Sequence, residues 1–284
     1  MIPAAFDYVA PTTVDDAVRS LAEAGEDGKV IAGGQSLLPV LRMRLAAPSK
    51  LVDLSRIPEL RGVREEGSSI VIGSMTTHYE VQRDALVREH ALLLALTTDT
   101  VADPQVRHRG TFGGSLAHAD PAGDLLAPAL ALDAELVLSG MDGRRKVPAS
   151  EFFVDFFTTA MRPGEILVEV RVPKYTGWSA HYEKFNRVAQ AWSMVGVAVA
   201  MRTEGGTIAE ARVGLTNMAS VPVRARGVEE ALVGQPASAD SIRAAAERAA
   251  EGTSPPSDGN ADAEFRSHLA KVLTGRAAMA AAGV

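Results

Sequence analysis

The segments AGGQSLLP (residues 32–39) and TFGGSLAHADPAGD (residues 111–124) carry the strongest structural signals in this chain. Each has a Gly-Gly pair that is followed closely by serine and leucine. Glycine lets a ligand approach the backbone without a Cβ in the way, and it permits positive φ. Consecutive N–H groups in such turns form anion-binding concavities. Neither segment has the spacing of a dinucleotide-binding G-x-G-x-x-G or of a P-loop. Spacing alone therefore fits two tight turns as well as two halves of a phosphate site.

The residues around these segments predict an α+β fold. A helix between Thr13 and Gly25 and another over 84–96 accompany strands at 29–32, 51–54, 70–72, 135–138 and 166–172. The predicted pattern of elements changes near Gly177. Strands are then predicted at 181–185, 193–202 and 207–215, and helices at 224–232, 238–251 and 261–282. We expect a first domain at 1–177, with α/β lobes at 1–55 and 56–177. Residues 178–284 are expected to form a small antiparallel sheet and a group of helices.

Composition excludes several classes of function. The net charge is −6, which argues against a nucleic-acid partner, and the chain has no cysteine. Without cysteine the chain can form no disulfide, thiolate nucleophile, cysteine-ligated zinc site or iron–sulfur cluster. Any redox chemistry therefore needs an organic cofactor. No apolar run is long enough for a membrane span and no signal peptide is recognisable, so we expect a cytoplasmic protein, with the inner face of the membrane as an alternative place.

Both glycine-rich segments resemble the FAD-binding loops of the medium subunit of molybdenum hydroxylases, the carbon monoxide dehydrogenase and xanthine dehydrogenase family. The segments at 164–167 (GEIL) and 182–187 (YEKFNR) are similar to further patterns of that family. The resemblance covers essentially the whole chain. It implies a two-lobed FAD-binding domain of the PCMH type, followed by the small sheet and helical C-terminal domain, with FAD held non-covalently.

The resemblance also implies roles for particular residues. The backbone of 32–36 and of 111–115 would hold the FAD pyrophosphate, and Asp124 would accept hydrogen bonds from cofactor hydroxyls. Leu167 would lie against the isoalloxazine ring, and Lys184 would place a cation at the ring's pyrimidine edge, where it stabilises the anionic reduced flavin. Gln35 stands where relatives often have His. The candidate cofactor-binding residues are Ala32, Gly33, Gly34, Gln35, Ser36, Leu37, Thr111, Phe112, Gly113, Gly114, Ser115, His118, Asp124, Leu167 and Lys184.

Without the resemblance, four of these residues have ordinary structural interpretations. Asp124 precedes an apolar run and could cap a helix, and Leu167 has the surroundings of a core residue. Lys184 could be a solvated strand residue. His118 lies between two alanines and could be a packed or hydrogen-bonded histidine. The residues alone leave these interpretations open.

Three functions compete at this stage. The first is a flavoprotein subunit that receives electrons from a small [2Fe–2S] subunit, while a large molybdenum-cofactor subunit oxidises the substrate. The resemblance implies a dimer of such heterotrimers. The second is a stand-alone FAD oxidoreductase with its own substrate pocket. The third is an assembly subunit without cofactor, against which the intact glycine motifs argue.

Overall fold

The computed structural model describes residues 1–284. It contains three larger β-sheets, which begin one after another along the chain. The first, here the N-terminal sheet, is parallel and has the order β1-β3-β2. Its elements are β1 (Asp7–Val9), α1 (Val14–Ala24), β2 (Gly28–Ile31), α2 (Leu37–Arg42) and β3 (Lys50–Asp53). The Thr13 hydroxyl accepts a hydrogen bond from the Asp16 N–H, and helix α1 ends at Gly25 with φ +63°. The predicted start and end of this helix are confirmed, and both follow from its capping residues.

A five-stranded antiparallel sheet, the central sheet, follows with the order β4-β5-β10-β6-β7. Its strands are β4 (Val63–Glu66), β5 (Ser69–Gly73), β6 (Glu135–Gly140), β7 (Gly143–Pro148) and β10 (Ile166–Pro173), with a two-stranded ribbon of β8 (Phe153–Asp155) and β9 (Thr158–Thr159). Its helices are α3 (His78–Arg83), α4 (Ala85–His90), α5 (Leu92–Asp99), α6 (Pro104–Arg107), α7 (Phe112–His118), α8 (Leu126–Ala131) and α9 (Ala149–Phe152). The single helix expected over 84–96 is wrong, because the backbone leaves the helical region at Ala91, with φ −144° and ψ 50°.

The C-terminal sheet is antiparallel with the order β11-β12-β13-β14. It comprises β11 (Ser179–Phe185), β12 (Val195–Glu204), β13 (Thr207–Thr216) and β14 (Val223–Arg224), followed by α10 (Arg226–Leu232), α11 (Ala239–Ala246) and α12 (Ala263–Ala282). A sheet followed by helices confirms the expected α+β class. The helix expected over 238–251 is shorter than predicted, because a 3-10 turn replaces its last part at Glu247–Ala250.

Alternating side chains on β12 pack against the C-terminal helices on one face of the sheet and against the core of the central sheet on the other. Val195, Val197, Val199 and Met201 pack in the core beneath α10–α12. Ala198 and Ala200 face the other way, into the core of the central sheet and its helices. On the adjacent strand, a Cβ added to Gly214 would lie 2.4 Å from the Ala127 carbonyl oxygen. Small residues on this face therefore let helix α8 approach closely and bring residues 120–126 against strand β11. No helix is both long and apolar enough to cross a bilayer.

Candidate functional site

The two glycine-rich segments meet in space, although about 80 residues separate them. A Cβ added to Gly33 would lie 2.2 Å from the carbonyl oxygen of Arg109, just before the second segment. A Cβ added to Gly114 would lie 3.4 Å from the Ala32 Cβ. Real Cβ atoms do not approach backbone oxygen at 2.2 Å, so only glycine fits at position 33. The close contact brings both segments into one site.

The first segment presents a run of backbone N–H groups without partners. The amides of residues 33–37 donate no hydrogen bond within the protein, and helical bonding resumes only with Leu38 N–H to the Gly34 carbonyl at 3.0 Å. Gly34 has φ +77°, a left-handed conformation that glycine adopts without strain. Pro39 is tolerated because it lies in the first turn of α2, where its missing N–H costs no helical bond. These features form a concavity of donors suited to an anion.

The second segment is constructed differently from the expected loop. Gly113 and Gly114 lie in the first turn of α7, which Thr111 caps. The N–H groups of Phe112 and Gly113 donate to the carbonyls of Thr76 and Ser74 at 2.9 and 3.0 Å. Those of Gly114 and Ser115 donate to Thr111, at 3.1 Å each, through its Oγ1 and its carbonyl respectively. Since four amides of 111–115 already have acceptors, this segment has fewer backbone donors for a ligand than the first one.

The glycines of the second segment allow close packing. A Cβ on Gly113 would lie 2.5 Å from the Ser74 Cβ, next to the end of β5. Helix α7 can therefore sit directly on that strand end. The Ser115 hydroxyl is half-buried at the junction of the two segments, and its hydrogen-bond partner is His78 Nε2 at 3.3 Å. His78 was not among the residues predicted for the site. The only local signal was the capping box that begins at Thr77 and starts helix α3.

Asp124 and Lys184 form a buried ion pair. The Lys184 Nζ lies 2.8 Å from Asp124 Oδ2, and the two side chains are 7% and 4% exposed. The hydroxyls of Tyr182 and Ser193 donate to Asp124 Oδ1 at 2.8 and 2.6 Å. Lys184 also donates to the Thr100 carbonyl at 3.3 Å. Three donors from 182–193 therefore converge on one carboxylate from the loop that follows α7.

This cluster decides the interpretation of two sequence-predicted residues. Asp124 is not a helix cap, because Leu125 occupies the N-cap position of α8 and Asp124 bonds to strand β11 and its neighbour. Lys184 is not a solvated strand residue. Tyr182 and Lys184 share one face of β11, as residues two apart on a strand must. Burial and the Asp124 charge raise the pKa of Tyr182 well above its ordinary value, so its hydroxyl remains a donor.

The remaining predicted residues lie in different surroundings. Leu167 is 4% exposed on β10, within the core of the central sheet and its helices. His118 is half-buried at the end of α7, 5.0 Å from the Phe157 ring, and burial lowers its pKa. The Gln35 side chain is exposed and donates only to the Gly33 carbonyl at 3.5 Å. Leu167 and His118 make no hydrogen bond to the Asp124 cluster. Ser193 belongs to the cluster, and nothing in the sequence indicated this.

Comparisons with known proteins cover nearly the whole chain. Residues 4–175 match the FAD binding domain in molybdopterin dehydrogenase, and residues 180–281 match the CO dehydrogenase flavoprotein C-terminal domain. The carbon monoxide dehydrogenase medium chain of Hydrogenophaga pseudoflava is 42% identical over 99% of this chain and 98% of that protein.

Two further similarities extend the comparison. The 6-hydroxypseudooxynicotine dehydrogenase complex subunit alpha of Paenarthrobacter nicotinovorans is 36% identical over 97% of this chain and 94% of that protein. A chain in the structure of reconstituted CO dehydrogenase from Oligotropha carboxidovorans is 38% identical, with a TM-score of 0.96 over 100% of this chain and 99% of that one. The similarity therefore includes sequence and fold over both matched regions.

Proposed function

The chain belongs to the family of FAD-binding medium subunits of molybdenum hydroxylases, and from this premise we propose that it is the electron-transfer flavoprotein of such a complex. In this role it receives electrons from a [2Fe–2S] partner and delivers them to an acceptor outside the complex. FAD, when bound, supplies the redox chemistry, since it can take up electrons one at a time and release them singly or in pairs.

The observation that carries the proposal is the run of five backbone amides at 33–37 without an acceptor in the protein. A diphosphate is a fitting partner, because hydrogen bonds to charged groups are stronger than neutral ones and need no side-chain charge at the site. The nearby hydroxyls of Ser36 and Ser115 add two further donors. A flavin dinucleotide therefore fits the residues that are present.

The chain's own residues have distinct tasks in this function. Residues 33–37 hold the diphosphate, and Gly33 maintains the contact between the two segments. Lys184 would place its charge at the ring's pyrimidine edge and favour the reduced cofactor, while Asp124 holds the Lys184 ammonium in place. Leu167 would contribute to the apolar wall behind the ring.

The absence of cysteine determines where an iron–sulfur cluster can lie. An iron–sulfur donor requires cysteine ligands, so it must belong to another chain. We propose a small [2Fe–2S] subunit and a large molybdenum-cofactor subunit, arranged as a dimer of heterotrimers in the cytoplasm. The substrate is then oxidised on the large subunit.

The first test is the absorption spectrum of the freshly purified chain, followed by acid precipitation. We expect a flavin spectrum, one FAD per chain, and release of all yellow colour into the supernatant. The variant Gln35→Ala is the matched control and should keep its FAD, because that side chain donates only one long hydrogen bond to its own loop. Colourless protein that binds no added FAD would contradict the proposal. Colour in the pellet would contradict non-covalent binding.

The second test separates an electron-transfer subunit from a stand-alone oxidoreductase. The chain is expressed alone and together with a large and a small subunit, and substrate-dependent dye reduction is measured for both preparations. We expect turnover of a hydroxylase substrate only in the three-subunit preparation. Turnover by this chain with FAD as its sole cofactor would favour the stand-alone enzyme.

A further inference from the structure

His78 is a buried histidine that lies beneath the junction of the two glycine-rich segments. It is 3% exposed, and its Nε2 lies 3.3 Å from the Ser115 Oγ. Its backbone N–H donates to the Gly110 carbonyl at 3.0 Å, and a Cβ on Gly110 would lie 2.8 Å from the imidazole Cδ2. The imidazole is therefore fixed against the backbone that leads into the second segment.

The other ring nitrogen determines which tautomer fits this position. His78 Nδ1 is buried and has no hydrogen-bond partner. An orphaned buried N–H is rarer in proteins than an under-satisfied acceptor, so the unpartnered Nδ1 suits the nitrogen that carries no proton. The proton then resides on Nε2, which is also the intrinsically favoured site in neutral histidine. Nε2–H consequently donates to the Ser115 Oγ.

We propose that His78 is a positioning residue for the cofactor diphosphate, because its hydrogen bond to Ser115 directs the Ser115 hydroxyl proton away from the imidazole and towards a phosphate oxygen. This inference rests on the proposed binding of FAD at the two segments. If Nε2 accepted instead, Ser115 would spend its only proton on His78 and could offer a phosphate no donor. A serine hydroxyl can donate or accept a hydrogen bond, and the bond from His78 leaves the Ser115 hydroxyl as a donor.

The charge state of His78 is consistent with this role. Burial, with a smaller contribution from the Arg107 charge, lowers the pKa of His78 to about 4. The imidazole is therefore neutral at physiological pH and acts through its hydrogen bond, without adding a charge beside the diphosphate.

The test is a double-mutant cycle on FAD affinity in the full chain. Apoprotein is titrated with FAD, with ADP as a probe that carries the diphosphate but no flavin, for wild type, Ser115→Ala, His78→Leu and the double variant. Ser115→Ala should weaken both ligands about tenfold or more, the cost of losing a hydrogen bond to a charged group. His78→Leu should weaken both by about three- to tenfold. In the Ser115→Ala background, the His78 substitution should have no further effect.

A conservative variant separates positioning from packing. His78→Gln places an amide N–H near the position of Nε2 and should restore affinity to within about twofold of wild type, while the melting temperature of each apoprotein reports folding separately. The inference would be overturned if His78→Leu lowered the affinity for FAD and ADP equally with and without the Ser115 hydroxyl. It would also be overturned if His78→Gln lost binding while its apoprotein kept the wild-type melting temperature. Wild-type apoprotein that binds neither FAD nor ADP would instead refute the proposed function.

Discussion

Replacing Asp124 with asparagine removes the negative charge of the buried ion pair and changes the side-chain volume very little. Asp124 accepts from Lys184, Tyr182 and Ser193, and its side chain is 4% exposed. The substitution leaves the Lys184 ammonium buried without its counterion, a change that costs about 3–5 kcal/mol in proteins. The asparagine oxygen can still accept from one or both hydroxyls, so we expect the lower end, about 3 kcal/mol. At roughly 2 °C per kcal/mol for a protein of this size, the melting temperature should fall by about 6 °C.

Asp133 provides a matched control for this substitution. It also pairs with basic residues of the C-terminal sheet, Arg212 and Arg224, but its side chain is 51% exposed. Solvent screening limits such pairs to about 0–1 kcal/mol, so Asp133→Asn should lower the melting temperature by about 2 °C or less.

The assay is thermal unfolding of apoprotein and FAD-loaded protein, with urea unfolding as an independent measure of stability. Lys184→Met combined with Asp124→Asn should cost less than the sum of the single changes, because the two charges interact directly. Equal losses for Asp124→Asn and Asp133→Asn would refute the reasoning, since burial would then have no bearing on the strength of the pair.

Three further predictions concern the site and its surroundings. Gly33→Ala should lower the free energy of unfolding by about 3 kcal/mol, because its Cβ would lie 2.2 Å from the Arg109 carbonyl oxygen. Gly34→Ala should cost less, mainly the left-handed strain of about 1–2 kcal/mol, because its Cβ would meet the end of the exposed Leu38 side chain, at 3.0 Å, which can move; urea unfolding compares the two variants. Lys184→Met should lower the flavin reduction potential by about 30 mV, or about 1.4 kcal/mol for two electrons, while FAD stays bound, as measured by dye equilibration. Burial lowers the pKa of His78 from 6.5 to about 4, so the unfolded chain takes up the His78 proton at a higher pH than the folded chain. The free energy of unfolding should therefore decline by about 3 kcal/mol between pH 6.5 and 4. His78→Gln should remove this part of the decline.

Local sequence was sufficient for several of the helices and strands. Helix α1 was predictable because Thr13 and Gly25 are capping residues whose effect depends on a few neighbours. Strand periodicity identified the C-terminal sheet, and the hairpin between β12 and β13 follows from Gly205 and Gly206, both with positive φ. The zero cysteine count excluded an iron–sulfur cluster without any structure.

Some local predictions were limited by competing tertiary interactions. The apolar run at 84–96 has a helical pattern, but the chain turns at Ala91 to direct α4 and α5 differently against the core. The second Gly-Gly pair looked like another phosphate loop. The amides of residues 112–115 bond to Ser74, Thr76 and Thr111, and these partners depend on where β5 ends in space.

The sequence by itself determined the residue types of the candidate site: two glycine pairs, a carboxylate at 124 and a lysine at 184. Only the tertiary structure decided their partners, because hydrogen bonds between residues about 40–70 positions apart depend on sheet register and packing, which no local pattern encodes. The small residues of β12 and β13 bring the loop with Asp124 against β11, and this contact makes Lys184 a buried ion-pair partner. In the same way, the end of β5 and helix α3 place His78 beneath Ser115 and give a half-buried hydroxyl one defined neighbour.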